Sequence, residues 1–497
     1  MSSGSAAIDD EDALETDVAV IGAGAAGLWA ALVAARAGAR VVLVSRSPLA
    51  QSASYWAQGG VAAALAADDS PAAHAADTLT AGRSLSRASA VDVLCREAPA
   101  RVDDLLEVGV SFDADRHGAL ALGLEGGHSR RRVAHAGGSA TGRRITRQLS
   151  AVVAEHELIV VLEGTTAGCL LVDDARCVGV RAQTAAGRRL AIAAAGTVLA
   201  TGGAAALWQR TTNPRGAIGA GMTLARAAGA ALADLELVQF HPTALVTGDA
   251  YDGFLITEAI RGEGATLLDA SGERFVDELA PRDQVASAIQ ERLRAGAGPV
   301  RLDMRTTDLG SFPNVAATLE RAGFDPARGP VPVAPAAHYT MGGIATDLDG
   351  RSTLPGLFAV GECACSGLHG ANRLASNSLA ECFVFGHRAG LAAMAEPAPP
   401  PTGRAAPAEC DPPDPIPPRP TRAALWRLAG LERTPDDLIE LTSDPFPLAC
   451  AIAACALARA ESRGAHQRSD LPTPDPALDG MHAVVLGDEA PRFERWS

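Results

Sequence analysis

Near its amino end the chain alternates between β-rich and helix-rich segments. Residues 17–21 are a short apolar, β-branched run that ends at glycine, and residues 25–37 are rich in Ala and Leu without a helix breaker. Residues 40–44 are again β-rich. Because strand, helix and strand patterns follow one another directly, this part of the sequence predicts a βαβ unit.

Short β-rich segments broken by Gly or Asp clusters follow further along the chain. Their pattern predicts a small antiparallel sheet made of residues 159–162, 169–172, 178–183 and 189–193. A buried strand over residues 197–200 then runs into Thr201-Gly202-Gly203.

The middle of the chain differs in character from the parts on either side. From about residue 235 to 339, mixed strands and helices carry many Arg and Glu, whereas the strand at 356–360 resumes the earlier pattern. The middle therefore resembles an insertion. We predict an α/β fold in which a Rossmann-like domain, residues 1–234 and 340–395, is interrupted by an α+β capping domain, residues 235–339.

The carboxyl-terminal part begins with a stretch crowded with proline. Residues 396–420 predict a semi-rigid linker for that reason. Residues 421–497 are expected to form a C-terminal helical domain. Within it, residues 448–458 predict a buried helix, and the part after residue 464 predicts loops.

Composition narrows the classes of function. The chain has 497 residues, 47% of them hydrophobic, and a formal net charge of −15, which argues against a general nucleic-acid or anionic-membrane surface. Its longest strongly apolar stretch is too short for a bilayer, which needs about 20 residues. Residues 1–15 lack the basic start and apolar centre of a secretory signal, so we expect a cytoplasmic protein. The nine cysteines contain no CxxC pair, so we expect reduced thiols and no metal site.

A glycine motif follows the first predicted strand. Gly22-Ala23-Gly24-Ala25-Ala26-Gly27 has the GxGxxG spacing, in which the glycines allow a tight turn, close approach of a pyrophosphate, and packing of the helix on the strand. The acidic residue usual at the end of the second strand is replaced by Ser45-Arg46, which weakens a generic NAD assignment. Ser45 is expected to reach the adenosine ribose, and Arg46 to lie near a phosphate.

Cationic and hydrogen-bonding groups recur in four later segments. They are suited to a small molecule with two carboxylates and occur at residues 239–243, 281–283, 338–343 and 369–373. A dinucleotide cradle together with such a pocket predicts an oxidoreductase that acts on a four-carbon acid.

These motifs, with residues 52–60, 200–203 and 361–362, resemble the succinate dehydrogenase and fumarate reductase flavoprotein superfamily. The resemblance implies FAD as cofactor. The respiratory members carry a flavin-linked histidine five residues before the Gln of the Gln-Gly-Gly segment, and here that position is Ala53, so the FAD should be non-covalent. Relatives often have an Asp where this chain has Ala220. The cofactor-binding residues expected from the motifs and the resemblance are Gly22, Gly24, Ala25, Ala26, Gly27, Ser45, Arg46, Ser52, Ser54, Gln58, Gly59, Gly60, Thr201, Gly202, Glu362, Asn377, Ser378 and Leu379.

Within this superfamily, residues 125–132 and 140–143 resemble the L-aspartate oxidase family. Glu125 stands where succinate dehydrogenases show no carboxylate, and a carboxylate can hold the ammonium group of aspartate. The resemblance implies oxidation of L-aspartate to iminoaspartate by hydride transfer to the flavin, the first step of de novo NAD biosynthesis. It also implies oxygen or fumarate as electron acceptor and quinolinate synthase as the enzyme that uses the product.

The reaction requires both carboxylates of the substrate to be clamped. Arg282 resembles the arginine that acts as proton shuttle in the superfamily, although charge stabilisation is the easier role for so weak an acid. Arg373 suits one carboxylate, and His241 and His338 are neutral or cationic donors that complete the clamp. Thr257 with Glu258 is expected to orient the second carboxylate and its arginine, and Gln239 to fix a histidine tautomer or contact the substrate. Arg130 to Arg132 are interpreted as solvated surface.

Two other hypotheses remain open from the sequence. A soluble fumarate reductase or succinate-oxidising flavoprotein would use the same clamp, and Glu125 argues against it. A catalytically inert FAD-binding or assembly protein would leave the site arginines and histidines as buried polar groups with no ligand to offset their desolvation.

Overall fold

The computed structural model describes residues 11–296, 298–397 and 416–497. These residues form twelve α-helices: α1 (Ala25–Arg36), α2 (Pro71–Ala81), α3 (Ala88–Glu107), α4 (Thr141–Glu155), α5 (Ala220–Ala227), α6 (Ala259–Gly262), α7 (Arg282–Arg294), α8 (Pro313–Arg321), α9 (Asn377–Met394), α10 (Arg419–Leu428), α11 (Pro435–Leu441) and α12 (Pro447–Ala458).

The same residues form nineteen strands, most of them short. They are β1 (Glu11–Ile21), β2 (Val41–Val44), β3 (Val61–Ala62), β4 (Leu122–Gly123), β5 (Val133–Ala134), β6 (Ile159–Leu162), β7 (Thr165–Asp173), β8 (Arg176–Thr184), β9 (Arg189–Leu199), β10 (Leu232–Ala233), β11 (Val238–Leu245), β12 (Thr266–Leu268), β13 (Arg301–Asp303), β14 (Val331–Thr340), β15 (Gly343–Ala345), β16 (Leu357–Ala359), β17 (Ala364–Cys365), β18 (Met481–Val485) and β19 (Arg492–Arg495).

The predicted βαβ unit is confirmed by β1, α1 and β2. Strands β1 and β2 pair in parallel, with Val18 opposite Val41. Every residue of α1 except Arg36 is buried, because the helix lies between the sheet and α9, where Trp29 meets Phe383 edge to face at 5.8 Å. Its Ala- and Leu-rich sequence combines high helix propensity with an apolar surface on all sides, as a fully buried helix requires.

The prediction of a small antiparallel sheet is correct only in part. The structure has one seven-stranded sheet in the order β6-β2-β1-β9-β8-β7, with β16 also paired to β9. Residues 159–162 form β6, which pairs in parallel with β2, and only β7, β8 and β9 run antiparallel. The two segments read as separate strands at 189–193 and 197–200 are largely one continuous strand, β9. Gly196 lets this strand pass closely beside α9, because a Cβ there would lie 2.5 Å from the carbonyl oxygen of Ala393.

The middle region has its own sheet and its own core. Strands β11-β14-β13-β12 form a four-stranded sheet, with α6, α7 and α8 around it. Buried side chains such as Leu245, Ile256, Leu302 and Val331 form a separate hydrophobic cluster. We propose residues 235–339 as the capping domain. The register of β11 shifts between Gln239 and Phe240 and again between His241 and Ala244. Pro242 lies at the second shift and has no N–H for the ladder. Such bulges redirect the side chains beside them.

The carboxyl-terminal part contains the expected helices, and the predicted buried helix is confirmed as α12. The expected loop-rich end is only partly so, because β18 and β19 lie within it. They extend a five-stranded sheet in the order β17-β15-β10-β18-β19, so the end of the chain pairs with the strand that precedes the capping region. Most of the predicted proline-rich linker, residues 398–415, lies outside the described residues.

Two expectations drawn from composition can be compared with the structure. Seven cysteines of the described part of the chain are free thiols, as expected, but Cys169 is disulfide-bonded, so the expectation of reduced thiols throughout is wrong. Nowhere in residues 11–296, 298–397 and 416–497 is there a helix long and apolar enough to cross a membrane, or a cluster of His, Cys, Asp and Glu suited to a metal ion.

Candidate active site

A cavity of about 460 Å³ runs from the glycine turn before α1 to the capping region. The structure brings nearly all of the predicted site residues to its wall. Those from the cofactor prediction are Gly22, Gly24, Ala25, Ala26, Ser45, Arg46, Ser52, Ser54, Gln58, Gly59, Gly60, Thr201, Gly202, Glu362, Ser378 and Leu379. Those from the substrate prediction are Glu125, His241, Thr257, Glu258, Arg282, His338 and Arg373. The residues predicted to bind a dinucleotide and those predicted to bind a small acid therefore line one continuous cavity.

The glycine turn leaves no room for side chains. Gly22 has φ +112°, and a Cβ on it would lie 2.3 Å from the carbonyl oxygen of Ala200. A Cβ on Gly27 would lie 1.9 Å from the carbonyl oxygen of Gly22, so Gly27 allows the helix to pack on the turn and does not itself reach the cavity. The Ala25 N–H at the start of α1 donates to Ser54 Oγ at 3.1 Å. A helix N-terminus beside an open cradle fits a pyrophosphate group.

Further polar groups continue the wall away from the glycine turn. Ser45 Oγ donates to the Ser47 carbonyl at 2.6 Å, which leaves its lone pairs to accept, and Arg46 is exposed at the rim. Gln58 Nε2 donates to the Leu255 carbonyl at 3.0 Å, while its Oε1 is buried without a hydrogen-bond partner. Burial raises the pKa of Glu362 to about 7, although the Thr340 N–H donates to its carboxylate at 3.0 Å. Such unpaired polar atoms suit the hydroxyl groups and ring edges of FAD.

Asn377 does not contribute its side chain to this wall, contrary to the prediction. Its Oδ1 lies 2.8 Å from His74 Nε2, and its Nδ2 donates to Thr78 Oγ1 at 3.1 Å, both on α2. Asn377 is fully buried at the start of α9, so its side chain joins α2 to α9 behind the cavity.

At the other end of the cavity, Arg282 begins α7 and points into the site. Its Nε donates to Glu258 Oε2 at 2.5 Å, and one terminal nitrogen donates to Gln239 Oε1 at 3.0 Å. Burial alone would raise the pKa of Glu258, but Arg282 and then Arg261 lower it below its usual value, so Glu258 is ionised. Glu258 therefore orients Arg282, in keeping with the expected role.

Gln239 holds two arginine segments together and lies outside the cavity wall. Besides accepting from Arg282, it donates through Nε2 to Asn372 Oδ1 at 2.9 Å and to the Arg373 carbonyl at 2.8 Å. These contacts use the whole amide group. The predicted roles of fixing a histidine tautomer or contacting substrate are thus replaced by positioning of both arginines.

Arg373 lies beside Ser378 and Leu379, where the flavin ring is expected, and we call this the flavin side of the cavity. One of its terminal nitrogens donates to Ser378 Oγ at 3.1 Å, and its guanidinium carbon lies 4.6 Å from the ring centre of Tyr339. Its Nε is buried without a hydrogen-bond partner. Burial, followed by repulsion from Arg282, lowers the pKa of Arg373 to about 10, so the side chain remains cationic near neutral pH.

His241 and His338 lie close together, with ring centres 5.0 Å apart. The Thr243 N–H donates to His241 Nδ1 at 3.3 Å, which places the proton on Nε2. Thr212 Oγ1 lies 2.7 Å from His338 Nδ1. Burial and the nearby arginines lower the pKa of both rings well below the usual value. Of the two protonation states left open by the sequence, these shifts favour the neutral one.

Glu125 lies between the clamp and Gly59 and Gly60, the glycines of the Gln-Gly-Gly segment, which we call the flavin loop. It is 3% exposed, and its Oε2 accepts from Ser376 Oγ at 2.6 Å. Ser376 Oγ also accepts from the Gly60 N–H at 3.1 Å. The other oxygen of Glu125 is buried without a hydrogen-bond partner, and His135 Nε2 is 3.8 Å from it. A carboxylate with one free oxygen is suited to receive a cationic donor from a ligand.

Three residues that matter here escaped the sequence analysis. Ser376 fixes Glu125, Tyr339 supports Arg373, and Thr212 orients His338. Ser376 and Tyr339 lie within predicted segments or next to them, so a search for polar neighbours of Arg373 and His338 finds them. Thr212 lies far from Arg373 and His338 in the sequence and is not near any predicted segment.

Arg132 was predicted to be solvated, and this is wrong. Its side chain is 0% exposed and contacts Asp69 and Asp77 at 2.9 and 2.5 Å. It also contacts His128 Nδ1 at 3.1 Å, and His128 Nε2 contacts the Ala375 carbonyl at 2.8 Å. This chain of contacts supports the backbone next to Ser376.

Comparisons with known proteins agree with this geometry. A family profile described as "FAD binding domain" matches residues 17–379, and one described as "Fumarate reductase flavoprotein C-term" matches residues 437–494. The chain is 46% identical to L-aspartate oxidase of Caulobacter vibrioides, covering 94% of this chain and 96% of that protein. It is 45% identical to L-aspartate oxidase of Agrobacterium fabrum, covering 92% and 91% of the two chains.

Solved structures show the same fold at lower identity. A quinol-fumarate reductase with menaquinol molecules superposes with a TM-score of 0.88 at 30% identity and covers 98% of both chains. Mycobacterium smegmatis Sdh1 in complex with UQ1 gives a TM-score of 0.82 at 30% identity over 98% of this chain and 95% of that one. The predicted fold and the FAD assignment are thereby confirmed, and the chain belongs to the L-aspartate oxidase family of FAD-dependent oxidoreductases.

Proposed function

We propose that this protein oxidises L-aspartate to iminoaspartate. The observation that carries the proposal is the free oxygen of Glu125, which is buried and lies in the cavity between the flavin loop and the arginine clamp. Succinate and fumarate have no cationic group that could contact this oxygen, and a buried carboxylate would repel either dianion. The α-ammonium of aspartate supplies the missing positive charge.

The charges of the site match those of L-aspartate. Arg282 and Arg373 each offer a guanidinium, and the neutral rings of His241 and His338 offer N–H donors without adding charge. Both oxygens of Glu258 face arginines, Oε2 accepting from Arg282 and Oε1 lying 3.5 Å from Arg261, so Glu125 is the carboxylate left for the ligand. We assign the two substrate carboxylates to the arginines, with the histidines and Thr257 as further donors.

FAD, when bound, would supply a two-electron acceptor for the hydride from Cα. The ammonium group gives up one proton so that its lone pair can form the carbon–nitrogen double bond, and the free oxygen of Glu125 is the base that takes this proton. The chain's own residues prepare that event. Glu125 fixes the amino group, Arg373 and Arg282 fix the carboxylates, and the capping region keeps water from an imine that hydrolyses readily. Arg282, held by Glu258 and Gln239, stabilises the charge that develops at the reacting centre.

FAD would be held by the glycine turn, by Ser52 to Gly60, and by Glu362 with Ser378 and Leu379. Ala53 lines the cavity and has no nucleophile for a covalent bond. Acid precipitation should therefore release all of the flavin into the supernatant. Flavin that stays with the polypeptide through denaturing electrophoresis would refute non-covalent binding.

The wider context of the reaction is also part of the proposal. The resemblance that suggested the substrate also suggests oxygen or fumarate as the acceptor that regenerates oxidised flavin. It further suggests quinolinate synthase as the consumer of iminoaspartate, in the first step of de novo NAD biosynthesis. A cytoplasmic location is part of the same proposal. Fumarate reduction as the main activity has weaker support, since the quinol-fumarate reductase above shares 30% identity and the two L-aspartate oxidases above share 46% and 45%.

The test is anaerobic reduction of the bound flavin. Stoichiometric L-aspartate should bleach the flavin absorbance of the purified holoenzyme, whereas succinate at the same concentration should not. Bleaching by succinate with no response to L-aspartate would contradict the proposed substrate. D-aspartate is a matched control, because it has the same charges in the mirror arrangement.

A further inference from the structure

The turn that follows α2 has an unusual backbone. Arg83 and Ser84, neither of them glycine, have φ values of +57° and +61°. Two consecutive residues in the left-handed region are costly, and such a conformation persists only where surrounding contacts hold it. The contacts of this turn therefore show what it is built to hold.

One of these contacts leads to the flavin side of the clamp. The Gly82 carbonyl accepts from the Ala371 N–H at 3.0 Å, two residues before Arg373. The approach is close on both sides, because a Cβ on Gly370 would lie 2.5 Å from that same carbonyl oxygen. The turn thus fixes the loop that carries Arg373.

A second contact leads to the capping side of the clamp. The Arg83 guanidinium grips Asp283 with two parallel hydrogen bonds, Nε to Oδ2 at 2.9 Å and a terminal nitrogen to Oδ1 at 3.0 Å. Asp283 directly follows Arg282 in the first turn of α7, where the helix dipole also favours a carboxylate. The Asp283 side chain is only 7% exposed, so its charge depends on this partner.

The carboxyl-terminal part supports the turn from behind. Arg463 donates to the Arg83 carbonyl at 2.7 Å, and the Gly480 N–H donates to the Ser84 carbonyl at 2.9 Å. These bonds satisfy the carbonyl groups of the two residues in the left-handed region. The turn is therefore a rigid support to which both arginine segments are attached.

We propose that the turn of residues 82–84 sets the spacing between Arg282 and Arg373, with Arg83 and Asp283 as a positioning pair that holds the capping region against the flavin side. The pair does not touch the substrate. It pre-organises the clamp, so that L-aspartate does not have to spend binding energy on bringing the two arginines together. This inference rests on the proposed function for its substrate.

The experiment compares Arg83→Gln, Asp283→Asn and the double variant as holoenzymes. Each single variant should raise KM for L-aspartate by about tenfold or more, the range of a lost charge-assisted pair. The value of kcat should change by less than about threefold, because saturating substrate restores the closed clamp. The KM of the double variant should be no higher than that of the more impaired single variant, since all three variants break the same contact. Arg83→Lys keeps the charge without the fork and should fall between wild type and Arg83→Gln.

Arg305→Gln is the matched control, because it breaks a forked arginine–aspartate pair with Asp303 that lies wholly inside the capping region. It should leave KM unchanged. If Arg83→Gln does not fold, Asp283→Asn, which keeps the shape of the side chain, carries the test alone. An unchanged KM in Asp283→Asn would overturn the positioning role. So would losses of thermal stability and activity that are the same in Asp283→Asn and in Arg305→Gln.

A second measurement keeps this test separate from that of the substrate. Amide hydrogen exchange in α7 of the substrate-free holoenzyme should be faster in Asp283→Asn than in wild type or Arg305→Gln. Failure of L-aspartate to bleach wild-type flavin would contradict the proposed function and leave this readout intact. Unchanged exchange in α7 would contradict the positioning pair whatever the substrate is.

Discussion

At the cofactor end of the cavity the wall consists mainly of backbone and small side chains, whereas at the substrate end it consists of buried charged and polar side chains. Gly22 and Gly27 are required because they have no Cβ, which would lie 2.3 Å from a carbonyl oxygen at Gly22 and 1.9 Å from one at Gly27. Glu125 and Arg373 work through polar atoms left without a partner. The two ends should therefore fail in different ways. Added volume at the first should expel flavin, and a removed charge at the second should spoil substrate use while flavin stays bound.

The largest effect is expected at the cofactor end. Gly27→Ala forces a methyl group onto the Gly22 carbonyl and should yield protein without flavin, or no folded protein. Gly329→Ala is the control, because nothing lies within 4 Å of a Cβ at that position. Flavin absorbance per polypeptide after purification measures both. Normal flavin content in Gly27→Ala would show that the turn can shift, and the contrast between the two ends would weaken.

At the substrate end, Arg282→Leu should lower kcat/KM for L-aspartate by at least about a hundred- to a thousandfold, the usual cost of losing a group that stabilises developing charge. Flavin content should match that of wild type. Arg305→Leu removes a guanidinium from the same region outside the cavity and should retain activity. Near-normal turnover by Arg282→Leu would mean that another group stabilises the reacting centre.

The same contrast explains how much the sequence revealed. The glycine turn is local, so the spacing of Gly22, Gly24 and Gly27 sufficed to predict strand, turn, helix and cofactor. Arg132 looked like surface because it follows two other arginines, and its partners Asp69 and Asp77 lie far upstream in the sequence. Only the folded chain brings them together.

The roles of Gln239 and Asn377 were missed for a related reason. Both amides lie in the right segments, but their hydrogen bonds are decided by side-chain direction, through the β11 register shift for Gln239 and the start of α9 for Asn377. Pairing of β18 with β10 joins residues about 250 positions apart, which no local pattern reports.

The free energy of unfolding should fall at acid pH, because two buried histidines support the backbone around Ser376. Burial lowers the pKa of His74 and His128 to about 4 in each case, and both support the backbone around Ser376 through Asn377 and the Ala375 carbonyl. In the unfolded chain both histidines become protonated near pH 6.5. Their contribution to the free energy of unfolding is therefore complete above that pH. It is lost progressively as the pH falls to about 4, by up to about 3 kcal/mol for each histidine.

Urea unfolding at pH 7 and pH 5 measures this loss. His74→Gln keeps a donor toward Asn377 without a titrating ring, and it should lose less unfolding free energy between the two pH values than wild type. An equal loss in both proteins would assign the acid sensitivity to other groups.

A smaller effect is expected from the support beneath Arg373. Tyr339→Leu removes the ring under the guanidinium and should raise KM for L-aspartate by about three- to thirtyfold, the range of a buried cation–π contact. Tyr339→Phe keeps the ring and loses only the hydroxyl that donates to Glu381 Oε2 at 2.7 Å. It should stay within about threefold of wild type. Similar KM values for the two variants would show that the ring does not hold Arg373.

The central claim is that Glu125 makes a dicarboxylate clamp selective for an amine, and the direct test is Glu125→Gln assayed for two activities on one preparation. The amide keeps the shape of the carboxylate and its contact with Ser376, so flavin content should be unchanged. L-aspartate oxidation should fall about ten- to a hundredfold in kcat/KM from the lost charge-assisted bond. Fumarate reduction with a reduced dye should hold steady or improve, because a negative charge beside a dianion has been removed. Equal losses in both activities would contradict amine recognition by Glu125.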